Sequence, residues 1–367
     1  VSSSIIAIGT AVPEHKIPQP DVCEFMAKAH GMSGKDLSRL KALYRATGIE
    51  QRYSAIADYA IKNPENRTFY SQNDRLDPFP TTKERSDFYK QEAIKLSVRS
   101  AKNCLANTMV SLSEITHLIT ISCTGMYAPG LDIDLVNELG LNKDVERTSI
   151  NFMGCYAAFV GIKSAHAFCA ANPSAKVLVV ATELCTLHFQ NKTDEETLIA
   201  NAIFGDGSAA VLVGNSGDNH KTRKLKPLAF HNELFSEGAT EMAWEIGNHG
   251  YEMKLSAYVP DLIEKGIAEL VGKLKAKVSV DTIQHYAFHP GGKRILEVIE
   301  KELQLDKTDG WAGREVLKNY GNMSSPTVLF VLKTLLDNLD EKQAGEKVLS
   351  LAFGPGLTVE SMLLEVV

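Results

Sequence analysis

The stretch Asn151-Phe152-Met153-Gly154-Cys155-Tyr156-Ala157-Ala158 joins two runs of opposite character. Before it, Arg147 to Phe152 reads as a short strand. After it, a small, apolar, helix-compatible run continues to about Ala171. A strand that stops at a glycine and feeds a helix makes a tight turn, and the side chain at the junction points out of it. Cys155 occupies that junction, at the positive end of the new helix. Both features favour the thiolate, the nucleophilic form of cysteine. Gly154 lets the backbone approach closely just before it. A cysteine taken alone is most often a buried structural residue, so partners elsewhere in the chain decide its role.

The runs on either side of this junction set the fold class. Ser4 to Val12, His117 to Cys123, Lys176 to Thr182 and Ser208 to Val213 are apolar enough to be buried strands. Between them lie helical patterns: Asp21, as cap, to about His30; Ser33 to about Tyr44; Arg85 to about Ala106; Asp132 to Leu139; and Asp194 to Ala202. Asn63 to Thr82 is polar and proline-bearing, as expected of a long surface loop. Alternation of apolar strands with helices predicts a layered α/β sheet. Arg39, Lys41 and Arg45 fall in or just after the last turns of the second helix. Basic residues there usually offset the helix dipole; as a group they could instead hold phosphate.

Composition loosens from Asn215 to Lys226, which places a boundary between halves 1–220 and 221–367. The second half repeats the style. Strands are expected at Leu228 to Asn232, Tyr251 to Leu255, Ile283 to Phe288, Val348 to Phe353 and Leu357 to Val367. Helices are expected at Pro260 to Lys277, Arg294 to Leu303, Arg314 to Asn319 and Pro326 to Leu335. The run from Asn151 resembles in pattern the run from Asn319, each a polar, glycine-bearing turn feeding an apolar helix. That suggests two duplicated halves facing each other.

Composition excludes several classes. The net charge is −6 with no basic stripe, which argues against nucleic acid as a partner. Six cysteines show no paired spacing and read as free thiols of a reducing compartment, so a cytoplasmic setting is expected. The first residues lack the basic and apolar regions of a signal peptide, and no apolar run approaches the roughly 18 residues of a membrane span.

Three residues with chemistry sit at turns beside apolar elements: Cys155, His289 and Asn322. A histidine beside a thiol can pair as imidazolium with the thiolate. An asparagine offers N–H donors to an oxyanion. Either alone is more often an ordinary turn residue; the joint pattern carries the functional reading. The order Cys, His, Asn also fits papain-like peptidases, whose cysteine lies near the mature N-terminus in a different run. Gly205-Asp-Gly-Ser-Ala-Ala210 matches a dinucleotide-binding fingerprint but precedes a strand, not a helix. No H-E-x-x-H or Cys/His cluster suggests a metal.

Seven stretches, in order along nearly the whole chain, resemble the type III polyketide synthases, the chalcone synthase-like branch of the thiolase-fold condensing enzymes. They are Thr116-His-Leu-Ile, Gly154-Cys155, Val177-Leu-Val-Val, Phe204-Gly-Asp-Gly-Ser-Ala-Ala210, His289-Pro-Gly-Gly292, Tyr320-Gly-Asn-Met-Ser-Ser325 and Phe353-Gly-Pro-Gly-Leu-Thr-Val-Glu360. A ketoacyl synthase III would instead show an Asn-Thr-Ser-Ala type run around its asparagine.

The resemblance implies an αβαβα fold of two pseudo-duplicated halves, working as a homodimer. It implies that Cys155 takes an acyl group from a coenzyme A thioester, and that His289 and Asn322 bind the malonyl thioester carbonyl and stabilise the enolate left by decarboxylation. Repeated condensation would give a poly-β-ketone that cyclises, with no metal or redox cofactor. Phe204 matches the family's aromatic gatekeeper. The second gatekeeper phenylalanine falls on Met253. Cys123, Thr124, Cys185, His188 and Trp244 take cavity positions that are small or hydroxylated in chalcone synthases, and Ala128 replaces the methionine that crosses the plant dimer interface. Gly291, Ser324 and Gly356 complete the expected substrate-binding set, with Arg39, Lys41 and Arg45 as bases for coenzyme A. These departures, and the run Trp244 to Ser256, resemble bacterial members that make resorcinols, phloroglucinols or pyrones. A scaffold or binding protein on the same fold is the alternative of a different class.

Overall fold

The computed structural model describes residues 3–106, 108–215, 223–238, 240–256 and 258–367. In chain order its strands are β1 (Ser3–Ala11), β2 (His15–Pro18), β3 (Gln51–Ser54), β4 (His117–Ser122), β5 (Glu146–Asn151), β6 (Val177–Leu184), β7 (Asp206–Asn215), β8 (Leu225–Leu234), β9 (Met242–Gly247), β10 (Gly250–Leu255), β11 (His285–Phe288), β12 (Lys347–Gly354) and β13 (Thr358–Val366). Nine of them form one mixed sheet in the order β11-β12-β13-β8-β1-β7-β6-β4-β5.

That order is a duplication. From the middle outward, one side runs β1, β7, β6, β4 and the other β8, β13, β12, β11. On both sides the first two neighbouring pairs are antiparallel and the third is parallel. Within the nine-stranded sheet the halves join between β1 and β8, where Ile5 pairs with Leu225. Each half carries a long helix before its parallel outer strand, Thr82–Leu105 before β4 and Val259–Ala276 before β11. Each also carries an apolar helix before the next strand, Ala157–Ala171 before β6 and Thr327–Leu336 before β12.

Side-chain alternation along the strands builds three cores between five layers. Leu118, Leu178, Val180 and Leu212 face the helix Thr82–Leu105. Ile119, Ile121, Val177 and Val179, with Met362 and Leu364 from the other half, face the two central helices. Leu349, Leu351 and Leu363 face the helix Val259–Ala276. Both faces of these strands are covered, which is why they read as continuous apolar runs. Each buried Val, Leu or Ile contributes roughly 1.5–3 kcal/mol. The result is the αβαβα arrangement.

Local expectations were met unevenly. The helix Gln19–His30 begins after Pro18, with Pro20 in its first turn, so Asp21 sits inside that turn and does not cap it. The helix Thr82–Leu105 has the capping box of Thr81 and Glu84. Two small antiparallel pairs had no full sequence counterpart: β2 with β3, which two helices separate in the chain, and the hairpin of β9 with β10. The second matters for the site. Its turn is tied to the first turn of the helix Thr82–Leu105, where the Thr82 N–H donates to Asn248 O at 2.9 Å and the Gly250 N–H donates to Thr82 Oγ1 at 2.8 Å.

Candidate active site

Cys155 follows β5 through a strained corner. Phe152 lies in the left-handed region at φ 58°, and Gly154 at φ 76°. A Cβ on Gly154 would stand 2.3 Å from Pro355 Cδ, so both conformation and proximity require glycine here. The chain then enters a short turn, Gly154–Tyr156, and the central-layer helix Ala157–Ala171. Cys155 is therefore held at the N-terminal end of a buried helix.

His289 terminates β11, its N–H bonded to Leu351 O at 2.8 Å. Its ring is 1% exposed, and neither ring nitrogen has a hydrogen-bond partner. Asn322 lies in the turn between the helices Trp311–Tyr320 and Thr327–Leu336. Its N–H donates to Ile203 O and its carbonyl accepts from the Gly205 N–H, both at 2.9 Å. Its Oδ1 accepts from the Ser324 N–H at 2.8 Å, while Nδ2 donates to Gly291 O at 3.2 Å. These two bonds orient the amide and leave its second N–H for the cavity. Gly321 before it has φ 69°, and a Cβ there would meet Ile203 O at 2.7 Å.

The three side chains line one enclosed cavity, together with Cys123, Thr124, Cys185, Phe204, Trp244, Met253, Gly291 and Ser324. Trp244 and Met253 are direct cross-strand partners in the β9–β10 hairpin, so both face inward. Trp244 Nε1 donates to Cys123 O at 2.6 Å and pins the hairpin to the other half. Phe204 pairs with Asn322 in an isolated parallel bridge, so the phenylalanine and the amide share one backbone frame.

The remaining expected residues lie elsewhere. His188 lines an adjoining hollow and has no ring nitrogen to spare. Its Nδ1 accepts from the Tyr251 N–H at 2.9 Å, its Nε2 bonds Thr124 O at 2.7 Å, and its ring stacks on Tyr251 at 4.2 Å. Gly356, at φ 73°, shapes the turn beyond Pro355 and is not in the cavity wall. Arg39, Lys41 and Arg45 do not form one patch. Lys41 and Arg45 line an open groove against the helix Gln19–His30, whereas Arg39 is on the other face of its helix, 82% exposed and 3.6 Å from Asp36. A spacing of two residues turns a helix by about 200°.

Burial governs protonation in the cavity. Burial pushes the Cys155 thiol up to about 11; the Ser324 side chain opposes the rise, the Glu183 carboxylate adds to it, and Asn322 opposes it. Burial alone holds the His289 imidazole down at about 3. Both shifts oppose the expected thiolate–imidazolium pair, since each favours the neutral form of its group. Glu183 was not anticipated from the sequence. It is a fully buried carboxylate whose charge acts on the Cys155 thiol, and it accepts from Cys123 N at 2.9 Å, Thr124 Oγ1 at 2.7 Å and Ser325 Oγ at 2.6 Å. Its signal was available: a lone acid in the apolar run Val177–Leu184. Ile295, Leu255, Met242 and Phe353, also in the wall, carried no such signal. Among the described residues no group of His, Cys, Asp and Glu is arranged to hold a metal.

The family model of chalcone and stilbene synthases, N-terminal domain, matches residues 2–217, and that of the C-terminal domain matches residues 229–367. The chain belongs to the chalcone and stilbene synthase family, the type III polyketide synthases. These are acyl-transferring condensing enzymes that use coenzyme A thioesters. The chain is 29% identical, over 99% of its length and 91% of the relative, to the alpha-pyrone synthesis polyketide synthase-like Pks18 of Mycobacterium tuberculosis. It is 30% identical to Probable polyketide synthase 1 of Dictyostelium discoideum, of whose much greater length it spans 11%. The solved structure of PKS-I from the brown alga Ectocarpus siliculosus superposes with a TM-score of 0.93 at 27% identity, covering 100% of this type III synthase and 99% of the algal chain.

Proposed function

We propose that this type III polyketide synthase loads a short acyl starter on Cys155. It then extends the starter by decarboxylative condensation with malonyl-CoA and cyclises the product to a phloroglucinol, resorcinol or pyrone. One observation carries the reading: the imidazole of His289, buried and without any partner, lines the same closed cavity as the Cys155 thiol and the spare Asn322 N–H. A buried polar group left unbonded is costly, and a thioester carbonyl is an acceptor that would satisfy it.

In loading, the Cys155 thiol gives its proton to the neutral imidazole. The sulfur attacks the starter carbonyl, and the departing coenzyme A thiolate takes that proton back. A malonyl thioester then sets its carbonyl against His289 and Asn322. Loss of CO2 leaves the electron pair as an enolate, whose oxygen these two donors stabilise. The enolate carbon attacks the acyl group on Cys155, a carbon–carbon bond forms, and the thiolate leaves. Release of CO2 drives the step, so no further cofactor is called for.

The cavity is narrow. It and the adjoining hollow offer about 30 and 40 Å³ to the centre of a water-sized sphere, which supports a short product. Homodimerisation is supported by β5, the edge of the nine-stranded sheet, whose residues are mostly exposed although it leads directly into the Cys155 turn. No helix among the described residues is long and apolar enough to cross a membrane; with six free cysteines, a cytoplasmic setting fits. The test is incubation with malonyl-CoA, alone and with acyl-CoAs of graded length, followed by mass spectrometry. Cyclised polyketides are expected. Absence of both product and coenzyme A release would overturn the reading in favour of a non-enzymatic role.

A further inference from the structure

Beside the catalytic cavity lies a second chamber. The two share a wall of Cys185, Phe204, Trp244 and Met253. Ile17, Val22, Met26 and Phe189 make much of this second chamber apolar. Most of its polar side chains are already engaged. Ser54 Oγ bonds Thr186 Oγ1 at 2.7 Å, the Tyr59 hydroxyl donates to Thr186 O at 2.7 Å, and the Asn201 amide is closed on the Gln190 backbone.

Arg52 is the exception. It is 2% exposed. One terminal nitrogen donates to Phe204 O and the other to Asn201 O at 2.8 Å, but its Nε–H has no acceptor. Among the described residues no carboxylate lies within 4.0 Å of it. Asp206, a carboxylate that feels its charge, spends its oxygens on Ala55 N at 2.8 Å, Thr186 N at 2.8 Å and Thr186 Oγ1 at 2.7 Å. A buried guanidinium with an unused donor and no contacting anion is costly unless something binds it.

Resting on the reading of the site given above, we propose that the second chamber receives the far end of the starter and that Arg52 pairs there with a carboxylate. The starters so selected are thioesters of short dicarboxylic acids, of malonyl to succinyl size. A water-sized group needs about 10–15 Å³ by this measure. The 40 Å³ present therefore admits about three such groups, the size of a carboxylate.

The test compares succinyl-CoA with isocaproyl-CoA, in which an isopropyl group takes the place of the carboxylate, each with malonyl-CoA as extender. For the wild type, kcat/KM for the succinyl starter should exceed that for the isocaproyl starter by at least about tenfold. Arg52→Met should bring the ratio to one or below. The ratio is the readout because Arg52 also holds the Phe204 carbonyl, and a general loss from a displaced gate cancels in it. A wild-type ratio at or below one, or a ratio unchanged in Arg52→Met, overturns the assignment. If Arg52→Met does not fold, Ala200→Leu decides, since it fills the chamber and leaves Arg52 in place. It must lower succinyl turnover, and unchanged turnover overturns the proposal. Coenzyme A release from malonyl-CoA by the wild type separates the two readings. Without it the proposed function fails; with it, and no succinyl preference, only the chamber assignment fails.

Discussion

Replacing Asn322 by alanine tests the division of labour in the site. The measurement is made on a Cys155→Ala background, which should form no polyketide but still decarboxylate malonyl-CoA slowly, because loading needs the thiol and enolate stabilisation does not. Alanine at 322 removes the spare N–H aimed at the enolate oxygen. Loss of one such donor typically costs about a hundredfold to a thousandfold in rate, about 2.7–4 kcal/mol. It also strips the Ser324 N–H of its acceptor and Gly291 O of its donor. Two buried backbone groups left unpaired cost about 1–3 kcal/mol each. At an unfolding entropy of about 2.1 cal/mol/K per residue over 367 residues, a loss of about 2–6 kcal/mol lowers the melting temperature by about 3–8 °C. The assay is chromatographic detection of acetyl-CoA, with thermal melting alongside. A folded double variant that decarboxylates within about threefold of Cys155→Ala, far short of the expected loss, would remove Asn322 from the oxyanion site.

Glu183→Gln removes a buried negative charge that raises the Cys155 thiol, so the pH profile of Cys155 alkylation, followed by peptide mass spectrometry, should shift to lower pH from its midpoint of about 11; an unmoved or raised midpoint would count against that charge. Because burial keeps His289 neutral down to about pH 3, malonyl-CoA decarboxylation should show no inflection near the ordinary histidine value of about 6.5 between pH 5 and 8. An inflection there that disappears in His289→Gln would show that the imidazole titrates normally. Met253→Phe should put a stiff ring opposite Phe204 in place of an adjustable thioether, depressing turnover of long acyl starters more than short ones. A starter profile unchanged by the substitution, or a wild type that preferred p-coumaroyl-CoA to every aliphatic starter, would mean that Met253 does not shape the passage as argued.

The sequence determined the frame by itself. β4, β6, β7 and β12 were legible because a strand covered on both faces must be apolar throughout, and such runs stand out without any knowledge of neighbours. The Cys155 corner was legible because a strand, a glycine and a small apolar helix in succession permit few other geometries. The resemblance in the His289 and Asn322 turns then tied three distant residues together. The short two-stranded pairs were harder. β2 and β3 are four residues each and carry Lys16, Gln51 and Arg52, so neither apolar content nor length marks them.

Only the tertiary structure decided the rest, because burial and charge act across space and not along the chain. Arg39 is parted from Lys41 and Arg45 by the phase of one helix. His188 is used up by Tyr251 and Thr124, partners 63 and 64 residues away. The raised thiol of Cys155 and the lowered imidazole of His289 follow from burial in a cavity walled by residues from both halves. The unpartnered Arg52 donor follows from where β3 comes to rest, against the end of the helix Glu195–Ile203. A sequence names the groups that can ionise or donate; which of them are left without partners depends on everything packed around them.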